Sequence, residues 1–201
     1  MTVSQTEIEN NEQRRILTIL LCINAIMFFV EITFGILSDS ASLIADSVDM
    51  LADAIVYGIG LYAVGRSALS KINAAQFSGI FQVVLGLSIL FDVIRRLLWG
   101  SDPESFIIIL VGLVALLANI LCLILISKYR KGEIHMRASW IFSKNDVLAN
   151  IGVIGAGGLV YIFDSRYPDL IIGVLISFFV IRGGLQIIKD VRSERLSLKE
   201  N

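Results

Sequence analysis

The chain has 201 residues, 56% of them hydrophobic and 17% charged, with a formal net charge of −1 and a mean hydropathy of +0.79. A soluble domain carries about a quarter charged residues; here the apolar excess falls in long runs, which excludes a large water-soluble core and points to membrane spans. No basic stretch supports a nucleic-acid partner, and the two cysteines, Cys22 and Cys122, both inside apolar runs, read as reduced packing residues and not as a disulfide framework.

Residues 1–13 are polar and acidic. They lack the basic start of a cleavable leader, so a cytoplasmic N-terminal segment is expected. A helix needs roughly 20 apolar residues to cross a bilayer, and six segments qualify: 16–37, 41–64, 77–98, 105–127, 139–163 and 170–188. Turn signals separate them at Ser38-Asp39-Ser40, at Gly100-Ser101-Asp102-Pro103 and at Asp164-Ser165-Arg166-Tyr167-Pro168. The runs do not alternate as barrel strands do. The expected fold is an all-α membrane protein: a six-helix unit over 14–190 and a short cytoplasmic tail over 191–201. Lys and Arg set the orientation. Arg14, Arg15, Arg66, Lys71, Lys128, Arg130, Lys131, Arg137, Lys189, Arg192, Arg195 and Lys199 flank one side, against Arg95, Arg96 and Arg166 on the other, so both termini are expected to be cytoplasmic. The acids of the opposite loops, Asp39, Asp102, Glu104, Asp164 and Asp169, read as solvated.

An ionised side chain at mid-bilayer costs at least roughly 2.5–3.5 kcal/mol on insertion scales. The second span nevertheless carries Asp46, Asp49 and Asp53 and no base. Their i, i+3, i+7 spacing puts all three on one helical face. Such a cluster persists only if protonated, partly wet or paired with a cation, and a metal that takes oxygen ligands resolves the conflict directly. The fifth span offers Asp146 and Asn150 at i, i+4, with Asn145 about 100° away around the helix. Gly152, Gly155, Ala156, Gly157 and Gly158 follow and allow close packing that brings Asp146 toward Asp49 and Asp53. Blander readings stand beside these. Asp46 is equally an interfacial or early-turn group; Asp146 has Lys144 as a possible partner; Glu31, alone in the first span, is equally a protonated or hydrogen-bonded buried acid. Asn119 and Cys122 in the fourth span read as interhelical packing groups, and His135 as an interfacial residue. Arg182 and Gln186 are expected to snorkel toward the cytoplasm.

The stretch Ser42-Leu43-Ile44-Ala45-Asp46-Ser47-Val48-Asp49-Met50-Leu51-Ala52-Asp53 resembles the second-helix signature of the cation diffusion facilitator (cation efflux) family. Asn24, Glu31 and Gly35 ahead of it, Asp146 with Asn150-x-Gly152, and Tyr167-Pro168-Asp169-Leu170-Ile171-Ile172-Gly173 extend the resemblance in order over about residues 12–192. It implies that Asp49, Asp53 and Asp146 are metal ligands. The family's remaining ligand position falls on Phe142, which cannot bind a metal, so Asn145, Asn150, a backbone carbonyl or water is expected to replace it. An all-oxygen site weakens the case for zinc and leaves manganese, ferrous iron, cobalt and cadmium open. Asp46, Glu31 and Asn119 are candidates for supporting or proton-relaying roles. The tail is too short for the cytoplasmic domain most members carry, so that domain is expected to be absent and a homodimer to use membrane helices.

The expected function is divalent metal efflux coupled to protons as counter-ion, in a bacterial inner membrane, with no enzymatic activity and no permanent cofactor. Burial and mutual repulsion favour the protonated acids and a bound metal favours the ionised ones, so proton and metal compete. The rival readings are a non-transporting assembly subunit, an intramembrane aspartyl enzyme and a passive channel.

Overall fold

The structure, a computed structural model, describes residues 3–63, 68–128, 130 and 134–200. Six helices follow in order: α1 Val3–Leu37, α2 Ala41–Ala63, α3 Ala68–Trp99, α4 Ser105–Ser127, α5 Ile134–Phe163 and α6 Tyr167–Glu200. No strand occurs among the described residues. Several helices extend past the apolar runs, α1 and α6 most of all. Among the described residues, five are long and apolar enough to cross a membrane, over Asn11–Leu37, Ala75–Trp99, Ser105–Ser127, Ser143–Phe163 and Tyr167–Leu196. At 23 residues α2 matches α4 in length, but its three carboxylates set it apart from those five.

Each expected turn forms, and local chemistry explains it. At the end of α1 the Ser40 N–H donates to the Gly35 carbonyl at 3.0 Å and the Asp39 N–H to the Ile36 carbonyl at 3.3 Å. Asp39 takes φ 49°, so this is a Schellman stop with aspartate in the left-handed position. Gly100 (φ 97°) ends α3 and Asp164 (φ 48°) ends α5 in the same conformation. Pro168 sits in the first turn of α6, where no amide hydrogen is needed.

The interior and surface are inverted relative to a soluble protein. Phe91 is 71% exposed and Phe106 70%, whereas Glu31 is 0%, Asp46 1% and Asp53 4% exposed. Apolar surface facing lipid and acids facing the bundle interior are what a bilayer demands. The tightest crossing is α3 with α6. A Cβ on Gly184 would lie 2.7 Å from the Gly79 carbonyl oxygen, and one on Gly86 would lie 2.5 Å from Ile181 Cγ1, so the backbones meet as only glycines allow. The small residues of α5 behave differently from expectation. Gly157 packs on Ile108 and Ile109 of α4 and Gly152 on Ile172 of α6, while Gly155 and Gly158 meet nothing within 4 Å. The close approach they permit is to α4 and α6, not to α2.

The α1–α2, α3–α4 and α5–α6 turns share one end of the bundle, the hairpin end, where Asp102, Glu104 and Asp164 are exposed as expected but Asp169 and Asp39 correct the expectation of solvated loop acids. Asp169 is fully buried. Its carboxylate accepts from Ser40 Oγ at 2.7 Å, the Ala41 N–H at 2.6 Å, the Ser42 N–H at 3.1 Å and Ser42 Oγ at 2.5 Å. An acid on α6 thus caps the N-terminus of α2, where unpaired amides and the helix dipole favour negative charge. Asp39 is also engaged. It accepts from Arg96 through its carboxylate and, at 2.7 Å, its carbonyl, and from the Asp102 N–H at 2.8 Å. Arg96 donates its Nε to Asp92 at 2.6 Å, and Arg95 pairs with the same acid at 2.8 Å.

Candidate cation site

Helices α1, α2, α4 and α5 enclose a polar interior. Along α2, Asp46, Asp53 and Tyr57 are buried and Asp49 is partly buried. Opposite them on α5 stand Ser143, Asp146 and Asn150, all buried. The two helices run antiparallel, and their contacts keep register. Asn150 Nδ2 donates to Asp46 Oδ2 near one end. The carboxyl groups of Asp53 and Asp146 face each other at hydrogen-bonding proximity further along. Tyr57 Oη lies 3.2 Å from Ser143 Oγ beyond that. Asp49 is within electrostatic reach of both Asp53 and Asp146. Each turn along α2 therefore meets the next turn of α5, and the acids of the two helices line one interior.

Supporting groups hold this register. Tyr57 donates its hydroxyl to Asp53 Oδ2 at 3.1 Å. Asn119 of α4 donates to Asn150 Oδ1 at 2.9 Å, so Asn150 has its oxygen engaged by α4 and its amide nitrogen engaged by Asp46. This makes Asn150 a bridge across three helices rather than an open oxygen donor. Asn24 of α1 donates to the Leu20 carbonyl at 2.9 Å and approaches Cys122 Sγ at 3.9 Å. Glu31, also of α1, lies at hydrogen-bonding proximity to the Asp46 carboxyl, and no other donor reaches its oxygens.

Of the residues expected from sequence, Asp46, Asp49, Asp53, Asp146, Asn150, Asn119 and Glu31 are brought together. Asn145 is not: it lies exposed, as does Lys144, the alternative partner of Asp146. The side chains of Phe142 and His135 lie outside the described residues. Among the described residues, no lysine, arginine or histidine forms an ion pair with any acid of this interior. Nor do any three His, Cys, Asp or Glu side chains converge closely enough to hold a metal ion. The acids form a column spread over successive helical turns, not a closed three-carboxylate cage. Tyr57 and Ser143 escaped the sequence reading, although Tyr57 follows Asp53 at i+4 and Ser143 precedes Asp146 by three, on the same faces.

Among the described residues, a helical bundle with apolar aromatics on its outer surface and buried acids in its interior defines an integral membrane protein. The profile of the cation efflux transmembrane domain matches residues 17–194, and the chain belongs to that family. It is similar to the cadmium, cobalt and zinc/H(+)-K(+) antiporter of Bacillus velezensis, 24% identical over 175 residues, covering 80% of this chain and 56% of that protein. It is similar to the metal cation efflux system protein CzcD of Cupriavidus metallidurans, 25% identical over 179 residues, covering 83% and 57%. It is similar to the zinc transporter ZitB of Escherichia coli, 29% identical over 203 residues, covering 94% and 64%. The chain thus spans about three fifths of the length of these relatives.

Proposed function

We propose that this chain moves a divalent metal cation out of the cytoplasm in exchange for protons. One observation carries the reading: Asp146 of α5 faces Asp53 of α2, with Asp49 in electrostatic reach and no base among the described residues to neutralise them. A divalent cation taking oxygen ligands offsets that charge, and the relatives are named for zinc, cadmium and cobalt efflux or antiport. Asp49, Asp53 and Asp146 are the proposed ligands, completed by water or a backbone carbonyl. Asn145 leaves the ligand set because it is exposed, and Asn150 becomes the bridge that holds Asp46. Because the acids form a column rather than a cage, a coordination sphere closes only when α2 and α5 shift slightly around the arriving ion. Protons compete with the metal for the same oxygens, and the acid pair Glu31–Asp46 is the proposed proton relay.

In the same reading all six helices cross a bacterial inner membrane with both termini cytoplasmic, and two copies pair through membrane helices. The cation is zinc or a similar transition metal: manganese, ferrous iron, cobalt or cadmium. The aspartates are ligands and not an enzymatic dyad, in keeping with relatives named as transporters. The test is saturable uptake into proteoliposomes across these five metals, with a pH-sensitive dye inside. Asp53→Ala is expected to cut uptake by at least about tenfold. Equal flux in that variant would sink the ligand assignment; metal flux without proton movement would remove the exchange but keep the transport.

A further inference from the structure

Two polar fastenings hold the start of α2 to the α3–α6 pair, and the cation site uses neither. The first is Asp169 of α6, buried, with its four donors from Ser40, Ala41 and Ser42. The second is Arg96 of α3, 4% exposed, which grips the carbonyl and carboxylate of Asp39 in the α1–α2 turn and is itself braced by Asp92. The same turn is tied to the α3–α4 connection by the Glu104 N–H on the Ser38 carbonyl at 2.9 Å and by the Asp102 N–H on Asp39. Asp46, the first acid of the column, lies five residues into α2, about 7–8 Å along the helix axis. Ala41, Leu43 and Ala45 between the turn and that acid pack with Ile89, Val93, Ile108 and Leu170, so access to the column from this end requires the start of α2 to shift.

The two fastenings differ in how they can open. Releasing Asp169 would strand four donors where water does not reach, which is strongly unfavourable. The Asp39 side chain is 45% exposed, so water can take the place of the guanidinium as they part. We propose that Asp169 is the fixed anchor of α2 and that Arg96–Asp39 is a releasable latch closing the hairpin end of the acid column. Arg96 and Asp39 are then positioning residues for the transport cycle: they touch no cation and set how often that end opens. The inference rests on the transport reading above.

Ser38 reports on the latch, because it is 1% exposed beneath the turn and its hydroxyl has no partner. In full-length protein in proteoliposomes carrying Cys22→Ser and Ser38→Cys, the rate of modification by a membrane-impermeant maleimide reads opening directly. Asp39→Asn keeps a residue that tolerates the left-handed backbone but removes the ion pair; Arg96→Gln removes it from the other side. Both are expected to speed modification by about tenfold, the scale of a charge-assisted contact present in one state only. They should change maximal zinc uptake while leaving the KM for zinc within about twofold, a split that loss of the site would not give. Arg96→Lys should restore most of the protection. Folded variants with unchanged modification and unchanged uptake would overturn the latch. If Arg96→Gln fails to fold by circular dichroism, Asp39→Asn decides on the same readouts. If the parent protein moves no metal, the transport reading falls, and the modification rates still decide whether the pair is a latch.

Discussion

Tyr57 shows how much a single side chain contributes to the interior. Its hydroxyl joins Asp53 of its own helix to Ser143 of α5, so it fixes one carboxylate oxygen and the α2–α5 register together. Tyr57→Phe is expected to cost about 1–2 kcal/mol through the two groups left without a partner, read as a lower thermal midpoint in detergent, and to weaken zinc binding in calorimetry. An unchanged affinity would mean that Asp53 needs no such support. Asp169→Ala is a harsher change, since four buried donors lose one carboxylate. A loss of about 3 kcal/mol is expected, above the roughly 1 kcal/mol of an ordinary helix cap. A variant as stable as the parent would show that the cap is dispensable. Asp49, Asp53 and Asp146 were legible in the sequence because an acid in an apolar run has few explanations. Asp169 was not, because an acid beside a turn looks the same whether it faces water or the amides of a distant helix.

Between elements, α3 and α6 meet at a glycine seam, whereas α1, α2, α4 and α5 combine buried apolar clusters with the polar side chains around the column. Gly184 and Gly79 approach so closely that no side chain fits. Gly184→Val should therefore cost at least about 1–3 kcal/mol by overpacking. Gly155→Val, on a face that meets nothing, should be nearly neutral. Thermal unfolding of the two variants side by side checks the contrast. The glycine run of α5 was visible in the sequence, but which of its members are packed was not, because that depends on how the helix is rotated. Six helices and their stops were legible from apolar length and turn chemistry. Their polar extensions, such as Val3 to Gln13 in α1, were not, because a helix already formed in the bilayer carries on into polar residues that have no apolar signal of their own.

At the scale of the whole molecule, the proposed exchange makes a pH prediction. Cation and protons compete for the oxygens of Asp49, Asp53 and Asp146, so zinc affinity should rise with pH and fall as the solution is acidified, with protons released on binding. Calorimetry in buffers of different ionisation enthalpy measures both quantities; pH-independent affinity with no proton release would contradict the exchange. The sequence by itself determined that this is a helical membrane protein and that three carboxylates share one face of its second helix, because apolar run length and helical periodicity are local properties. Only the tertiary structure decided that Asn150 reaches Asp46 across 104 positions of chain, that Asn145 faces outward, and that Asp169 and Arg96 fasten the start of α2. Those contacts follow from interhelical register and rotation, which are set by packing across the bundle and leave no local periodic signal.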